Sequence, residues 1–171
     1  SIITAITFLI NLWLALLFTA LACLILGMEV PTTAAYIICV SVAGPALIDM
    51  GLDVLLVHLF VFWFALLSTI TPPVCGAVFI AAGMVEENWL KVAGSAMALG
   101  IGLYIVPLAM IANSTLIDLG NDPLWAILAG LKVAVGLTAI SFGLIAPRPF
   151  WMRIAMIGVG IAMYLIFVVA G

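Results

Sequence analysis

Two short stretches combine hydroxyl groups, proline and glycine inside otherwise apolar sequence. The first is GMEVPTTAAY, residues 27–36, and the second is STITPPVCG, residues 68–76. A proline has no amide hydrogen and its ring clashes with the preceding turn, so we expect a helix to break at each stretch. The break frees carbonyl groups at the end of one helix and amide groups at the start of the next. Carbonyl and hydroxyl oxygens suit a cation such as sodium, whereas a helix start suits an anion.

Each break admits two interpretations. It is either a binding site or a proline kink whose freed groups are satisfied by serine and threonine hydroxyls and by neighbouring helices. Discontinuous helices of this kind form the substrate and ion sites of secondary transporters. Two breaks of matching composition therefore favour a binding site. At the first break we expect Gly27 to end a helix and Pro31 to begin the next one.

Two ionisable side chains lie inside apolar sequence near these breaks. Glu29 is an intramembrane carboxylate if the 27–33 segment lies in the membrane, and a loop residue if the segments on both sides span. His58 lies about one turn into its segment. It either relays protons or, as is more common, is neutral and bonded to a neighbour.

The sequence does not favour an enzyme. Ser68 and His58 are ten residues apart, which is about 15 Å along a helix axis, so they cannot act together on one helix. Cys23, Cys39 and Cys75 lack metal-ligand spacing and are expected to be small apolar residues, buried or facing lipid. We expect no cofactor apart from a coupling ion.

The composition is that of an integral membrane protein. The chain of 171 residues is 68% hydrophobic and 6% charged, and its mean hydropathy is +1.52. Soluble domains carry about 25% charged residues. A spanning helix needs about 20 apolar residues, so the chain has room for about six passes through the lipid bilayer. A net charge of −3 excludes a basic surface for nucleic acid.

Hydrophobic runs predict an all-α protein with seven segments. They cover approximately residues 2–26, 32–48, 54–67, 74–85, 92–117, 124–145 and 154–170. The second, third and fourth are marginal or too short to span alone. The third and fourth are best interpreted as one pass interrupted in its middle. The first two form either two spans with a tight turn or a re-entrant hairpin.

The few charges predict an orientation. Arg148 and Arg153 place the loop APRPFWMR, residues 146–153, in the cytoplasm. The same orientation places Lys91 in the cytoplasm as well. The loop DLGNDP, residues 118–123, is then outside, as are Asp49 and Asp53. This bias alone leaves the hairpin and the two-span alternatives open. Within the fifth segment, Gly94, Ala98 and Gly102 recur every four residues and predict a face for close helix contact.

Residues 27–84 contain PTTAAY, HLFVF and ITPPV in that order. This run resembles the large membrane subunit of tripartite ATP-independent periplasmic (TRAP) transporters, in particular the fused permeases of the TAXI branch. Residues 85–116 match more loosely, and the last two segments resemble the C-terminal extension of those fused permeases.

The resemblance implies one half of an inverted-repeat elevator transporter. Residues 1–84 would be part of the transport domain, with a re-entrant hairpin at 1–48 and a discontinuous transmembrane helix at 53–84. Residues 85–171 would form three further transmembrane helices. The remaining permease portion would lie upstream, so the chain is expected to be a piece of a longer polypeptide.

The resemblance also implies a function. The family imports organic acids (carboxylates) with a sodium gradient, and a periplasmic substrate-binding protein delivers the substrate. The location would be the cytoplasmic (inner) membrane of a bacterium or archaeon. A multi-span scaffold or assembly subunit that does not transport is the alternative.

The family's motifs are carried over by position. The hairpin-tip motif falls on Gly27, Pro31, Thr32 and Thr33, and the unwound-helix motif falls on Ser68, Thr69, Thr71, Pro72 and Pro73. Glu29 departs from the family, where a small residue is usual, which implies an altered ion or proton dependence. The expected sodium ligands are Gly27, Thr32, Ser68, Thr69 and Thr71.

Overall fold

The regular structure is helical throughout the residues that the structure describes. A computed structural model describes residues 2–117, 120, 122–145 and 149–170, without the side chains of residues 2, 5 and 168–170. The helices are α1 (Ile2–Glu29), α2 (Thr32–Asp49), α3 (Val54–Leu67), α4 (Gly76–Val85), α5 (Trp89–Leu99), α6 (Ile101–Ala112), α7 (Pro123–Ile145) and α8 (Phe150–Ala170). A short 3-10 helix, Ser114–Ile117, follows α6.

The helix lengths confirm a multi-pass membrane protein. Five apolar stretches within the described residues are long enough to cross a bilayer: Ile6–Glu29, Thr32–Asp49, Trp89–Ala112, Pro123–Ile145 and Phe150–Phe167. The helices α3 and α4 have 14 and 10 residues, which agrees with one interrupted pass. By contrast, α2 reaches spanning length with 18 residues, although its run looked marginal from the sequence. Helix lengths therefore fit two spans as well as a re-entrant hairpin, and the hairpin stays a prediction.

The chain divides into two compact units, Ser1–Met84 and Val85–Gly171. In the first unit, α1, α2 and α3 pack against one another. Their contact surface is closed by small and aromatic side chains that are almost fully buried, such as Cys23 of α1, Ala35 of α2 and Phe60 of α3. All three cysteines are buried thiols, as expected of small apolar residues. The transport and extension roles predicted for the two parts of the chain stay predictions.

A side-chain cap sets the start of α3. The Asp53 carboxylate accepts a hydrogen bond of 2.8 Å from the Leu55 amide, which satisfies one of the free amides at the helix start. Asp53 is exposed and Val54 follows it directly. The cap therefore explains why the observed helix begins where the hydrophobic run begins.

In the second unit, the fifth predicted segment is two helices rather than one. The first, α5, ends before Gly100, and Leu103 donates its amide to the Gly100 carbonyl at 2.8 Å. The Leu99 carbonyl thus lacks its usual helical donor, and the Ser141 hydroxyl of α7 donates to it at 3.3 Å. A side chain from a neighbouring helix repairs this interruption.

The closest packing in the second unit joins α7 and α8 through glycines. A Cβ atom placed on Gly160 would lie 2.6 Å from the Gly136 carbonyl oxygen, and one on Gly143 would lie 3.0 Å from the Arg153 carbonyl oxygen. The face predicted from Gly94, Ala98 and Gly102 is only partly used. A Cβ on Gly102 would touch Leu137, whereas one on Gly94 would meet nothing within 4 Å. Small residues permit contact only where another helix lies opposite.

Arg153 joins α8 to the end of α7. Its Nε donates to the Gly143 carbonyl at 3.0 Å and its Nη2 donates to the Leu144 carbonyl at 2.7 Å. These are among the last carbonyls of α7, which have no donor within their own helix. The guanidinium therefore satisfies the end of one helix from the first turn of the next.

We expect Gly160→Ala to destabilise the protein by about 1–3 kcal/mol, because the new methyl group would overlap Ile140 and the Gly136 backbone. Gly158→Ala is the matched control on the same helix, since a Cβ there meets nothing within 4 Å. Thermal unfolding of the purified protein measures the stability of both variants. Equal melting temperatures for the two variants would contradict the α7–α8 packing.

Candidate ion and substrate site

The first break is narrower than the sequence suggested. The helix α1 continues through Gly27 to Glu29, and α2 begins at Thr32, so the non-helical segment is Val30–Pro31. The expectation that Gly27 ends a helix is wrong. The helix continues because Val30 still donates its amide to the Leu26 carbonyl at 3.1 Å. Pro31, which has no amide hydrogen, is the residue that ends the series of helical hydrogen bonds.

The second break is confirmed as a wide interruption. After α3 ends at Leu67, the amides of Thr69 and Ile70 donate to carbonyls three residues earlier, at 3.2 Å each. The chain then passes through Pro72 and Pro73 before α4 begins at Gly76. Two consecutive residues without amide hydrogens prevent the helix from continuing.

Three hydroxyls of the second break bond the end of α3. The hydroxyls of Ser68, Thr69 and Thr71 donate to the carbonyls of Ala65, Leu66 and Leu67 at 2.7, 2.8 and 2.6 Å. These bonds repair the helix end, as the structural interpretation of the break requires. A hydroxyl that donates its proton keeps two acceptor lone pairs. The same oxygen atoms are therefore able to contribute to a cation site.

The prolines remove helical donors at matching positions of both breaks. In a helix, a carbonyl accepts from the amide four residues later. The residue four positions after Gly27 is Pro31, and those four positions after Ser68 and Thr69 are Pro72 and Pro73. Hence none of these three carbonyls can receive its helical hydrogen bond. The carbonyl of Ser68 instead accepts from the Thr71 amide at a long 3.4 Å.

The last turn of α1 lies against the start of the second break. A Cβ atom placed on Gly27 would overlap the Ser68 hydroxyl and would lie 2.7 Å from the Ser68 Cβ and 3.2 Å from the Ala65 carbonyl oxygen. Ser68 is fully buried. Gly27 therefore has a steric role, because only a residue without a side chain allows α1 to approach the end of α3 this closely.

The other predicted residues surround this contact to different degrees. Thr32 is half-buried at the start of α2, whereas Glu29 and Thr33 are exposed. At the second break, Thr69, Thr71 and Pro72 are half-buried and Pro73 is exposed. The contact that the structure shows beside the breaks joins Gly27, in the last turn of α1, to Ser68. The ligand set predicted for sodium stays a prediction.

One partner in this unit was missed from the sequence. The Tyr36 hydroxyl lies 2.7 Å from Nδ1 of His58, and the Tyr36 ring also packs edge-on against Phe62. This hydrogen bond joins α2 to α3 and agrees with a histidine bonded to a neighbour. Tyr36 and His58 are 22 residues apart, so no local spacing rule connects them.

We expect Gly27→Ala to destabilise the first unit by about 1–3 kcal/mol, because the methyl group would overlap Ser68. Gly83→Ala in α4 is the control, since a Cβ there meets nothing within 4 Å. The melting temperature of the purified protein is the measurement. Ser68→Gly, added to Gly27→Ala, removes both overlapping side-chain atoms and should restore part of the loss. A harmless Gly27→Ala would show that α1 and α3 are not in contact.

Comparison with known proteins gives the family. The family "Tripartite ATP-independent periplasmic transporter, DctM component" matches residues 3–125, which include both breaks and the Gly27–Ser68 contact. No curated protein and no solved structure matches the chain. The matched family consists of transporters, which confirms the prediction that the chain is not an enzyme. The chain belongs to the DctM family, the large permease component of tripartite ATP-independent periplasmic transporters.

Proposed function

We propose that this chain supplies part of a sodium-coupled TRAP importer of organic acids and binds sodium where its two helix breaks meet. The observation that carries the proposal is the contact of Gly27 with Ser68. It joins two backbone segments whose carbonyls have each lost a helical donor to a proline. The family supplies the transport function, and the ion and substrate are the proposed parts.

The contact also supports a re-entrant hairpin. The helix α3 has 14 residues, which is about 21 Å of axis. If α3 and α4 form one interrupted pass, Ser68 lies well inside the hydrocarbon, whose thickness is about 30 Å. Because Gly27 touches Ser68, the tip between α1 and α2 would then lie within about one helical turn of the same depth. A tip at that depth has its two helix ends on the same side of the membrane.

Sodium would stabilise this arrangement by electrostatics. Carbonyl oxygens that have lost their helical donors repel one another in a medium of low dielectric constant. A small cation between them would replace the missing donors, and the proposed carboxylate substrate would balance its charge. The hydroxyl oxygens of Ser68, Thr69 and Thr71 offer further lone pairs at the same end of α3. Thr32, half-buried at the start of α2, is the remaining proposed ligand.

A carboxylate substrate would bind at the amide ends of the resumed helices. Pro31 precedes α2 and provides no side-chain cap, so no cap occupies the first amides of that helix. Free amides and the helix dipole favour a negatively charged group. The sodium ion and the carboxylate would then lie close together with opposite charges. This arrangement couples the binding of one to the binding of the other.

The partners follow from the family. Its members normally work with a substrate-binding protein and a small component. We propose a periplasmic substrate-binding protein as the partner here, an upstream portion of the permease, and a location in the inner membrane of a bacterium or archaeon. The TAXI branch and an elevator motion of the hairpin unit are further parts of the proposal.

We expect sodium, compared with potassium at equal ionic strength, to raise the melting temperature of the full-length permease. In Pro31→Ala and Pro72→Ala, an amide hydrogen becomes available to the carbonyls of Gly27 and Ser68. The sodium concentration for half of the maximal effect should then rise about tenfold, which corresponds to about 1.4 kcal/mol of binding free energy. Sodium-driven uptake should fall more than the amount of protein in the membrane.

Pro45→Ala is the matched control, because Pro45 lies inside α2 and away from both helix breaks. It should leave the sodium dependence unchanged. Equal sodium stabilisation in the wild type and both test variants would instead favour breaks that serve packing alone, as in a scaffold that does not transport. Sodium binding without any carboxylate uptake would support the ion site and reject the proposed substrate.

A further inference from the structure

A lysine lies inside an otherwise uncharged membrane helix of the second unit. Lys132 is the tenth residue of α7 and the only charged residue of this helix. It lies nine residues after the first residue of α7, which is about 14 Å along the helix axis. This depth is close to the middle of a bilayer. A charged group at this depth is costly and by default indicates a functional site. Lys132 is outside the region that the family matches.

Lys132 lines a cavity at one end of the second unit. The cavity has a volume of about 50 Å³, and Asn113, Thr115, Trp125, Leu128, Ala129, Lys132 and Phe167 form its walls. A single water needs roughly 10–15 Å³ by this measure. The cavity is thus large enough for one small polar group with its first hydration waters, and too small for a whole solute of drug size.

A polar framework holds another part of the cavity wall. The Asn113 amide nitrogen donates to the Phe167 carbonyl at 3.0 Å, which ties the end of α6 to α8. The Asn113 oxygen accepts from both the amide and the hydroxyl of Thr115, at 3.0 and 2.6 Å. Asn113 is more than nine-tenths buried. The second hydrogen of its amide nitrogen is not used in these bonds.

The charge of Lys132 is not balanced within the described part of the chain. No carboxylate lines its cavity, and the ion pair formed among the described residues is Lys91 with Glu87. Asp122 precedes Lys132 by ten residues, which is about 15 Å along the helix. The lysine makes no hydrogen bond to another described residue. Its ammonium therefore gives the cavity a positive potential that an anion would neutralise.

The walls indicate which kind of anion fits. Trp125 and Leu128 are 60% and 42% exposed, so the cavity opens onto the apolar outer face of α7. Tryptophan at a helix end favours the level of the lipid headgroups. A lysine one or two turns deeper can extend toward that level while its methylene groups stay in the hydrocarbon. A group that enters from this face meets apolar side chains first and the ammonium last.

We propose that Lys132 and Asn113 bind one phosphate group, supplied by the headgroup of an anionic phospholipid whose acyl chains lie along α7. The lysine donates to the phosphate oxygens and the free Asn113 hydrogen adds a second, neutral donor. Free inorganic phosphate has the same chemistry and is the other possible source. The site shares no residue with the proposed sodium site, since its residues all belong to the second unit.

The test uses the full-length permease in a neutral detergent. Phosphatidylglycerol, phosphatidylcholine or inorganic phosphate is added, and the melting temperature is measured. We expect phosphatidylglycerol to stabilise the wild type more than phosphatidylcholine does, because the choline ammonium competes with Lys132. Lys132→Met should lose more than half of this difference, whereas Lys132→Arg should keep most of it. Lys91→Met is the control for loss of a surface charge and should keep the whole difference in stabilisation between the two lipids.

A second variant keeps the test decisive if Lys132→Met does not fold. Leu128→Trp narrows the cavity without changing the charge, and it should also lose more than half of the difference. Stabilisation of the wild type by inorganic phosphate alone, lost in Lys132→Met, would support the site with a soluble source. The proposal is overturned if neither lipid nor phosphate distinguishes the wild type from Lys132→Met and Leu128→Trp.

Discussion

The first unit depends on one constraint, which is that its backbone groups must form hydrogen bonds in a medium without water. A helix in lipid satisfies its carbonyls from within, and each proline deletes one donor for the carbonyl four residues earlier. Here Pro31 acts on Gly27, and Pro72 and Pro73 act on Ser68 and Thr69. Since Gly27 packs against the Ser68 side chain, the two segments that have lost helical donors lie side by side. An ion that replaces the missing donors is the function proposed for this arrangement.

The second unit solves the same problem in a different way. Where α5 gives way to α6, the Ser141 hydroxyl from α7 donates to the Leu99 carbonyl. Where α7 ends, the Arg153 guanidinium donates to the carbonyls of Gly143 and Leu144. In both cases a side chain from another helix donates to carbonyls that lack a helical donor. At the second break of the first unit, the repairing hydroxyls come from the broken segment itself, and they keep lone pairs for a ligand.

The sequence predicted those features that depend on local chemistry. The bounds of α3 and the break after it follow from a hydrophobic run between Asp53 and the proline pair, and the structure has both. The narrow first break was harder to predict from the sequence. Gly27 suggested a helix end, whereas its actual role is to permit contact with Ser68. That role depends on a residue 41 positions away, about which no local pattern carries information.

Long-range packing accounts for the other differences. The Gly94 face was a sound pattern, yet the close contact lies between Gly136 and Gly160, because spacing cannot say which helix lies opposite. The bond between Tyr36 and His58 and the cavity at Lys132 each combine residues from different helices. A lone lysine in an apolar segment was visible in the sequence, but its surroundings were not.

The most direct measurement is a density map of the full-length permease in a lipid bilayer with sodium present. The account predicts the 27–33 tip at membrane depth against Ser68, with ion density within coordinating distance of the carbonyl of Gly27 and of Ser68 or Thr69. A tip in bulk water, or helical hydrogen bonding that continues past Thr71, would contradict it.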